Sequence, residues 1–169
     1  MNPIFHFAQG FYDIAYNAAY RNKIDGTEKG FQRLPTAVIN FNFSAELYLK
    51  GLHTITTKLI INGHELWKLF KYLSPEIKSE IEELYNNFLE TNKDELSSYK
   101  AKFIVNNIEP LETRESDNLK NMLLVHNKSF EEWRYLYENK KSIIYEYDFN
   151  KMDCFIKSLI TVINKIQKK

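Results

Sequence analysis

One helix constrains this chain more than any other feature. The segment from Phe41 to His53 is apolar almost all the way round, apart from one narrow polar stripe. At about 100° per residue, Asn42, Glu46, Lys50, His53 and Thr57 fall within roughly 80° of one another. A helix buried on most sides runs through the middle of a bundle. Buried charge needs partners, so the stripe is expected to face a cleft, a wet seam or another subunit.

The rest of the chain is also helical in periodicity. Asn2 and Pro3 open a first helix whose inner face is read as Ile4, Phe7, Ala8, Phe11, Ile14, Ala15 and Ala18, fading near Arg21. Asp25 to Gly30 reads as a polar loop. Pro35 opens the second helix, which runs to about Lys58. Asn62-Gly63 marks a turn, and a short amphipathic helix follows from His64 to Leu73. Ser74-Pro75-Glu76 is a strong start signal for the next, with Ile77, Ile81, Leu84, Tyr85 and Phe88 inward.

Residues 91–113 read as an irregular excursion around Phe103-Ile104-Val105, with a short strand or helix of its own. A long helix is expected after Ser116-Asp117, carrying Leu119, Leu123, His126, Phe130, Trp133 and Tyr137 on one seam. Ile143 to Tyr147 reads as extended or as a wide connection. The last helix begins near Asp148. The expectation is an all-α helical bundle: four principal helices plus shorter ones, in a single domain over 1–169.

Composition removes several classes. The net charge is +1, from 23 basic and 22 acidic residues, unlike a globally basic nucleic-acid binder. Apolar residues make up 44% and aromatics 15%, enough to build a core and to argue against disorder. The single cysteine, Cys154, forms no internal disulfide and fits a reducing compartment. The start at Asn2 to His6 lacks the basic and apolar run of a secretory leader. No stretch approaches the roughly 20 apolar residues of a membrane span. We therefore expect a soluble, cytoplasmic protein with no membrane partner. Gly26 to Gly30 lacks the ending of a phosphate loop, no histidine pair has zinc spacing, and there is no Gly-x-Ser-x-Gly elbow. No metal or cofactor is expected.

Three patches together resemble one family. They are Phe43-Ser44-Ala45-Glu46-Leu47-Tyr48-Leu49-Lys50-Gly51-Leu52, Gly63-His64-Glu65-Leu66-Trp67-Lys68-Leu69-Phe70 and Phe130-Glu131-Glu132-Trp133-Arg134-Tyr135-Leu136-Tyr137-Glu138. Their order and spacing resemble the HEPN superfamily (higher eukaryotes and prokaryotes nucleotide-binding), in its bacterial branch with FSAELYLKAL, GHxLxxLF and WRYxYE patterns. The resemblance implies an up-and-down, HEPN-like helical bundle that forms a homodimer, in a toxin–antitoxin or phage-defence setting, with a separate nucleotidyltransferase as a partner in some members. It also implies RNA or a nucleotide as ligand, and for many members metal-independent ribonuclease activity.

Those ribonucleases share an Arg-x4-6-His motif, in which imidazole moves protons and guanidinium holds phosphate. No arginine here has a histidine four to six residues beyond it. Arg134 suits the first position, and Asn139 then occupies the histidine slot. An amide holds a phosphate oxygen but is no base near neutral pH.

The candidate ligand-binding residues are Glu46, Lys50, His53, His64, Arg134, Glu138 and Asn139. Glu46 and Lys50 are four apart in the favourable order. They form either a structural pair in a seam or part of a cleft or dimer groove with His53 at its lip. His64 either caps or bridges helices or touches ligand. Arg134, four before Glu138 and beside aromatics, either recognises phosphate or a base or bridges to Glu46. The catalytic candidates are Arg134, His126 and His64. On a straight helix His126 lies roughly 12 Å before Arg134, so the two would meet only across a two-fold axis. Two main readings follow: a binding protein that holds RNA, a nucleotide or a partner protein and lacks the usual nuclease motif, or an atypical metal-independent endoribonuclease assembled across a dimer. A purely structural assembly subunit is the third.

Overall fold

The computed structural model describes residues 2–105, 118–127, 129–135 and 143–168, without the side chains of 103–105 and 143–145. It is a helical bundle with one small sheet. Its elements are α1 (Pro3–Ile24), α2 (Glu28–Phe31), α3 (Leu34–Thr57), α4 (Leu66–Lys71), α5 (Pro75–Thr91), β1 (Lys100–Val105), α6 (Leu119–Val125), α7 (Ser129–Glu132), β2 (Ile143–Asp148) and α8 (Phe149–Gln167).

The local start signals act as their chemistry requires. Asn2 accepts a hydrogen bond from the Ile4 amide at 3.2 Å, and Ser74 accepts one from Ile77 at 3.4 Å. Each satisfies an amide that has no partner within its helix. Lys58 ends α3 in the left-handed conformation, φ 65°.

The frame is built by α1, α3, α5 and α8. Helices α1 and α3 are antiparallel: Phe5 faces Tyr48, the Ser44 hydroxyl donates to Ala8 O at 2.8 Å, and Tyr12 meets Phe41. Helix α3 also packs on α8, and α8 on α5. That last pair is antiparallel, with Lys165 beside Glu80 at 2.5 Å and Asn92 bonded to Asn150 at 2.9 Å. Phe41, Leu49, Phe70, Phe149 and Phe155 fill the centre.

Strands β1 and β2 pair antiparallel, from Lys100 opposite Asp148 to Val105 opposite Ile143. The excursion therefore has a short strand, and Ile143 onward is extended, both among the readings of the sequence. Asp148 ends β2 and caps α8, accepting from the Lys151 amide at 2.9 Å.

Four expectations need correction. Phe7 and Ile14 do not face the core; they are exposed on the far side of α1. Its buried face is Phe5, Ala8, Ala15 and Ala19, and the three small alanines let α3 come close. Residues 25–30 are not all loop, since α2 starts at Glu28. The short helix begins at Leu66, so His64 precedes it. The long helix after Ser116 is broken: α6 ends in a turn at His126 and Asn127, and α7 is a single turn. Asn127 has another task there, accepting a hydrogen bond from the Trp67 amide in the first turn of α4 at 2.8 Å. Tyr137, Glu138 and Asn139 lie outside the described residues.

Candidate functional site

The site begins with a buried acid. Glu46 is only 2% exposed in the middle of α3. A carboxylate there is costly unless it is paired. Lys50, one turn on, donates to Oε1 at 2.7 Å. His64 Nδ1 lies 3.1 Å from both carboxylate oxygens. A carboxylate only accepts, so this contact places a proton on Nδ1 and leaves Nε2 as the outward nitrogen. The His64 side chain is 62% exposed. Gly63 carries the chain into it at φ 109°, a backbone conformation that side chains resist.

An aromatic row continues from the imidazole. His64 stacks on Phe130 with ring centroids 6.4 Å apart and planes at 12°. Phe130 in turn stacks on Phe43 at 5.6 Å, and Phe43 meets Phe11 edge-on at 4.6 Å. The Arg134 guanidinium sits 5.1 Å from the Phe130 ring centre and 5.4 Å from that of Tyr135. Arg134 and Tyr135 are both exposed. Helix α3, the α3–α4 connection and the end of α7 thus bring two cations, an imidazole and two aromatic rings to one open face, with the buried Glu46 carboxylate beneath it.

This arrangement sorts the sequence candidates. Glu46, Lys50, His64 and Arg134 come together. The Arg134-to-Glu46 bridge does not form, because Lys50 and His64 occupy the carboxylate and Arg134 lies over the rings. His53 is not at a lip. It is buried at the end of α3, with Nδ1 donating to Leu59 O at 3.2 Å and its ring against Tyr72. Asn42, from the same stripe, is also held inside, donating to Val38 O and the Tyr147 hydroxyl, each at 3.0 Å. His126 is buried 4.4 Å from the Tyr147 ring centre, beside the Ser129 hydroxyl at 3.4 Å. Burial pushes its pKa down to about 3, so it is a neutral core group at pH 7. It is not on the open face. Glu138 and Asn139 are outside the described residues.

Sequence reasoning missed Phe130 and Tyr135 as site members. Both belong to the third patch, but Phe130, at seam spacing, reads first as core. It also missed a second polar cluster. Asp153 of α8 is fully buried; the Tyr12 hydroxyl donates to it at 2.6 Å and Lys157 pairs with it at 2.7 Å. Lys157 also pairs with Asp94, and the Tyr16 hydroxyl donates to Glu95. Burial pushes the Asp153 pKa up, against the pull of Lys157 and Tyr12. The four-residue spacing of Asp153 and Lys157 is the signal that could have found it. Beside it, burial raises the Cys154 thiol to about 12, which keeps it protonated and unreactive at neutral pH.

Among the described residues, no group of three His, Cys, Asp or Glu side chains is arranged to hold a metal ion. No described helix is long and apolar enough to cross a membrane. Comparison with family models, with curated proteins and with solved structures finds no match to this chain.

Proposed function

We propose that this chain is a HEPN-like binding protein that works as a homodimer in a bacterial toxin–antitoxin or phage-defence setting, and that the His64–Phe130–Arg134 face binds RNA. The observation that carries the reading is the exposed Arg134 guanidinium lying over Phe130, whose ring also stacks on His64. Guanidinium holds phosphate through a fork of donors, and flat rings offer bases a sequence-tolerant surface. The face is open rather than enclosed, which suits a polymer better than a free nucleotide. Lys50 adds charge at its edge, while Glu46 orients the imidazole.

The test is fluorescence anisotropy of a labelled mixed-sequence single-stranded RNA at low salt. Arg134→Ala is expected to weaken binding about tenfold or more, and to flatten the salt dependence. Absence of binding by the wild-type chain, or equal binding by the variant, rejects the reading.

One observation favours a second reading, an atypical metal-independent endoribonuclease. The Glu46 carboxylate fixes the His64 tautomer with Nε2 outward, and Arg134 shares a ring with that imidazole. Nε2 takes the proton of a ribose 2′-hydroxyl as its oxygen attacks the adjacent phosphorus, and the 5′-oxygen leaves with a proton from water to give a 2′,3′-cyclic phosphate, while Arg134 holds the phosphoryl oxygens. Here both groups come from one chain, rather than across a dimer. RNA cleavage in the presence of chelator, abolished by His64→Ala and reduced by Glu46→Gln, would support this reading over simple binding.

A further inference from the structure

Helix α1 has a second seam that the bundle does not use. Phe7, Gly10, Ile14, Asn17, Arg21 and Ile24 recur at alternating spacings of three and four, the repeat of helices that pair along their length. They point away from α3, which takes the opposite face. Phe7 is 65% exposed, Ile14 52% and Ile24 66%. Large apolar groups in line on an outward helix face mark a contact surface. Gly10 interrupts the line, although a β-carbon there would meet nothing within 4 Å. The fold of the single chain gives no reason for glycine in the middle of this helix.

A second copy supplies the reason. Under a two-fold axis midway between Ile14 and Asn17, two antiparallel α1 helices set Phe7 opposite Ile24 of the second copy. Gly10 then lies opposite Arg21, and Ile14 opposite Asn17. The bare backbone at Gly10 leaves room for the long Arg21 stem, and the guanidinium head reaches Asp13 one turn further along. Asp13 and Arg21 are both exposed on α1 and opposite in charge. A parallel pairing would set Arg21 against Arg21 and gap against gap. Charge and shape both select the antiparallel arrangement.

We propose that this chain self-associates through the outer seam of α1, antiparallel, with Arg21 of each copy seated over Gly10 of the other. The proposal rests on the dimeric part of the functional reading and gives that dimer its interface. The test is sedimentation equilibrium of the full chain without RNA, with far-UV circular dichroism as the folding control. The wild-type chain is expected to be a dimer. Gly10→Leu is expected to stay folded, because the site is empty within one chain, and to raise the dissociation constant about tenfold or more. Arg21→Asp is expected to weaken the dimer, and Asp13→Arg with Arg21→Asp to restore it. A wild-type monomer overturns the proposal together with the dimeric part of the functional reading. A wild-type dimer that ignores Gly10→Leu overturns this interface alone and leaves RNA binding untouched. A double charge swap that fails to rescue overturns the antiparallel register.

Discussion

At the residue scale, four histidines share one chemistry and differ in setting. His64 is outward on a carboxylate, whereas His53 and His126 are enclosed. For His126 this has a measurable consequence. Its folded pKa is lowered to about 3 by burial, while the unfolded chain holds the ordinary value near 6.5. Between those values the unfolded state binds more protons, so the contribution of His126 to stability is complete above about pH 6.5 and is lost as pH falls toward 3. The loss is on the order of several kcal/mol over that window. Asp153, with its pKa raised, works in the opposite direction at the acid end. Urea unfolding from pH 7 to pH 4 is therefore expected to show a clearly smaller pH slope in His126→Leu than in the wild-type chain.

At the element scale, the sequence was most readable where caps and prolines punctuate it. The starts of α1 and α5 follow directly from Asn2-Pro3 and Ser74-Pro75. The facing of α1 was not readable, because both of its sides carry apolar residues. The large ones, Phe7 and Ile14, drew the assignment, but close packing was won by the alanines. The break between α6 and α7 was equally hidden, since the reason lies in a partner: Asn127 satisfies an amide of α4 far away in sequence. Close packing yields its own prediction at Gly51. A β-carbon there would fall 2.4 Å from Phe5 Cε1 and 2.8 Å from Ile4 Cγ2, both on α1. Gly51→Ala gains up to about 1 kcal/mol of helix propensity but meets an overpacking cost of about 1–3 kcal/mol. The expected net effect is a loss of about 1 kcal/mol in chemical denaturation.

At the scale of the whole molecule, the helical class was legible from periodicity, and the convergence of the first, second and third patches gives their order a physical meaning. Sequence alone could not show what lies between them. The pairing of Glu46 with His64 spans a loop, and the stacking of Phe130 on His64 depends on how α7 returns to α3. The Asp153 cluster was legible only in its i,i+4 pair with Lys157 on α8, because its other members come from α1 and residues 94–95. That cluster ties one end of the frame together, so it should resist badly the loss of one member. Lys157→Met removes the cation from a fully buried carboxylate. The expected cost is about 3 kcal/mol, measured as a lowered thermal midpoint at pH 7 and partly recovered by adding Asp153→Asn.

One torsion governs the open face. Gly63 turns the backbone at φ 109°, with empty space where a side chain would go. Replacing it would cause no collision, yet the backbone would resist the pose and swing the neighbouring imidazole off its acid. A relative with any other residue at this position could keep every chemical group of the face and still lack the face. Counting matched functional residues would pass such a protein as competent, whereas the aim of the ring, set one residue earlier, would say otherwise.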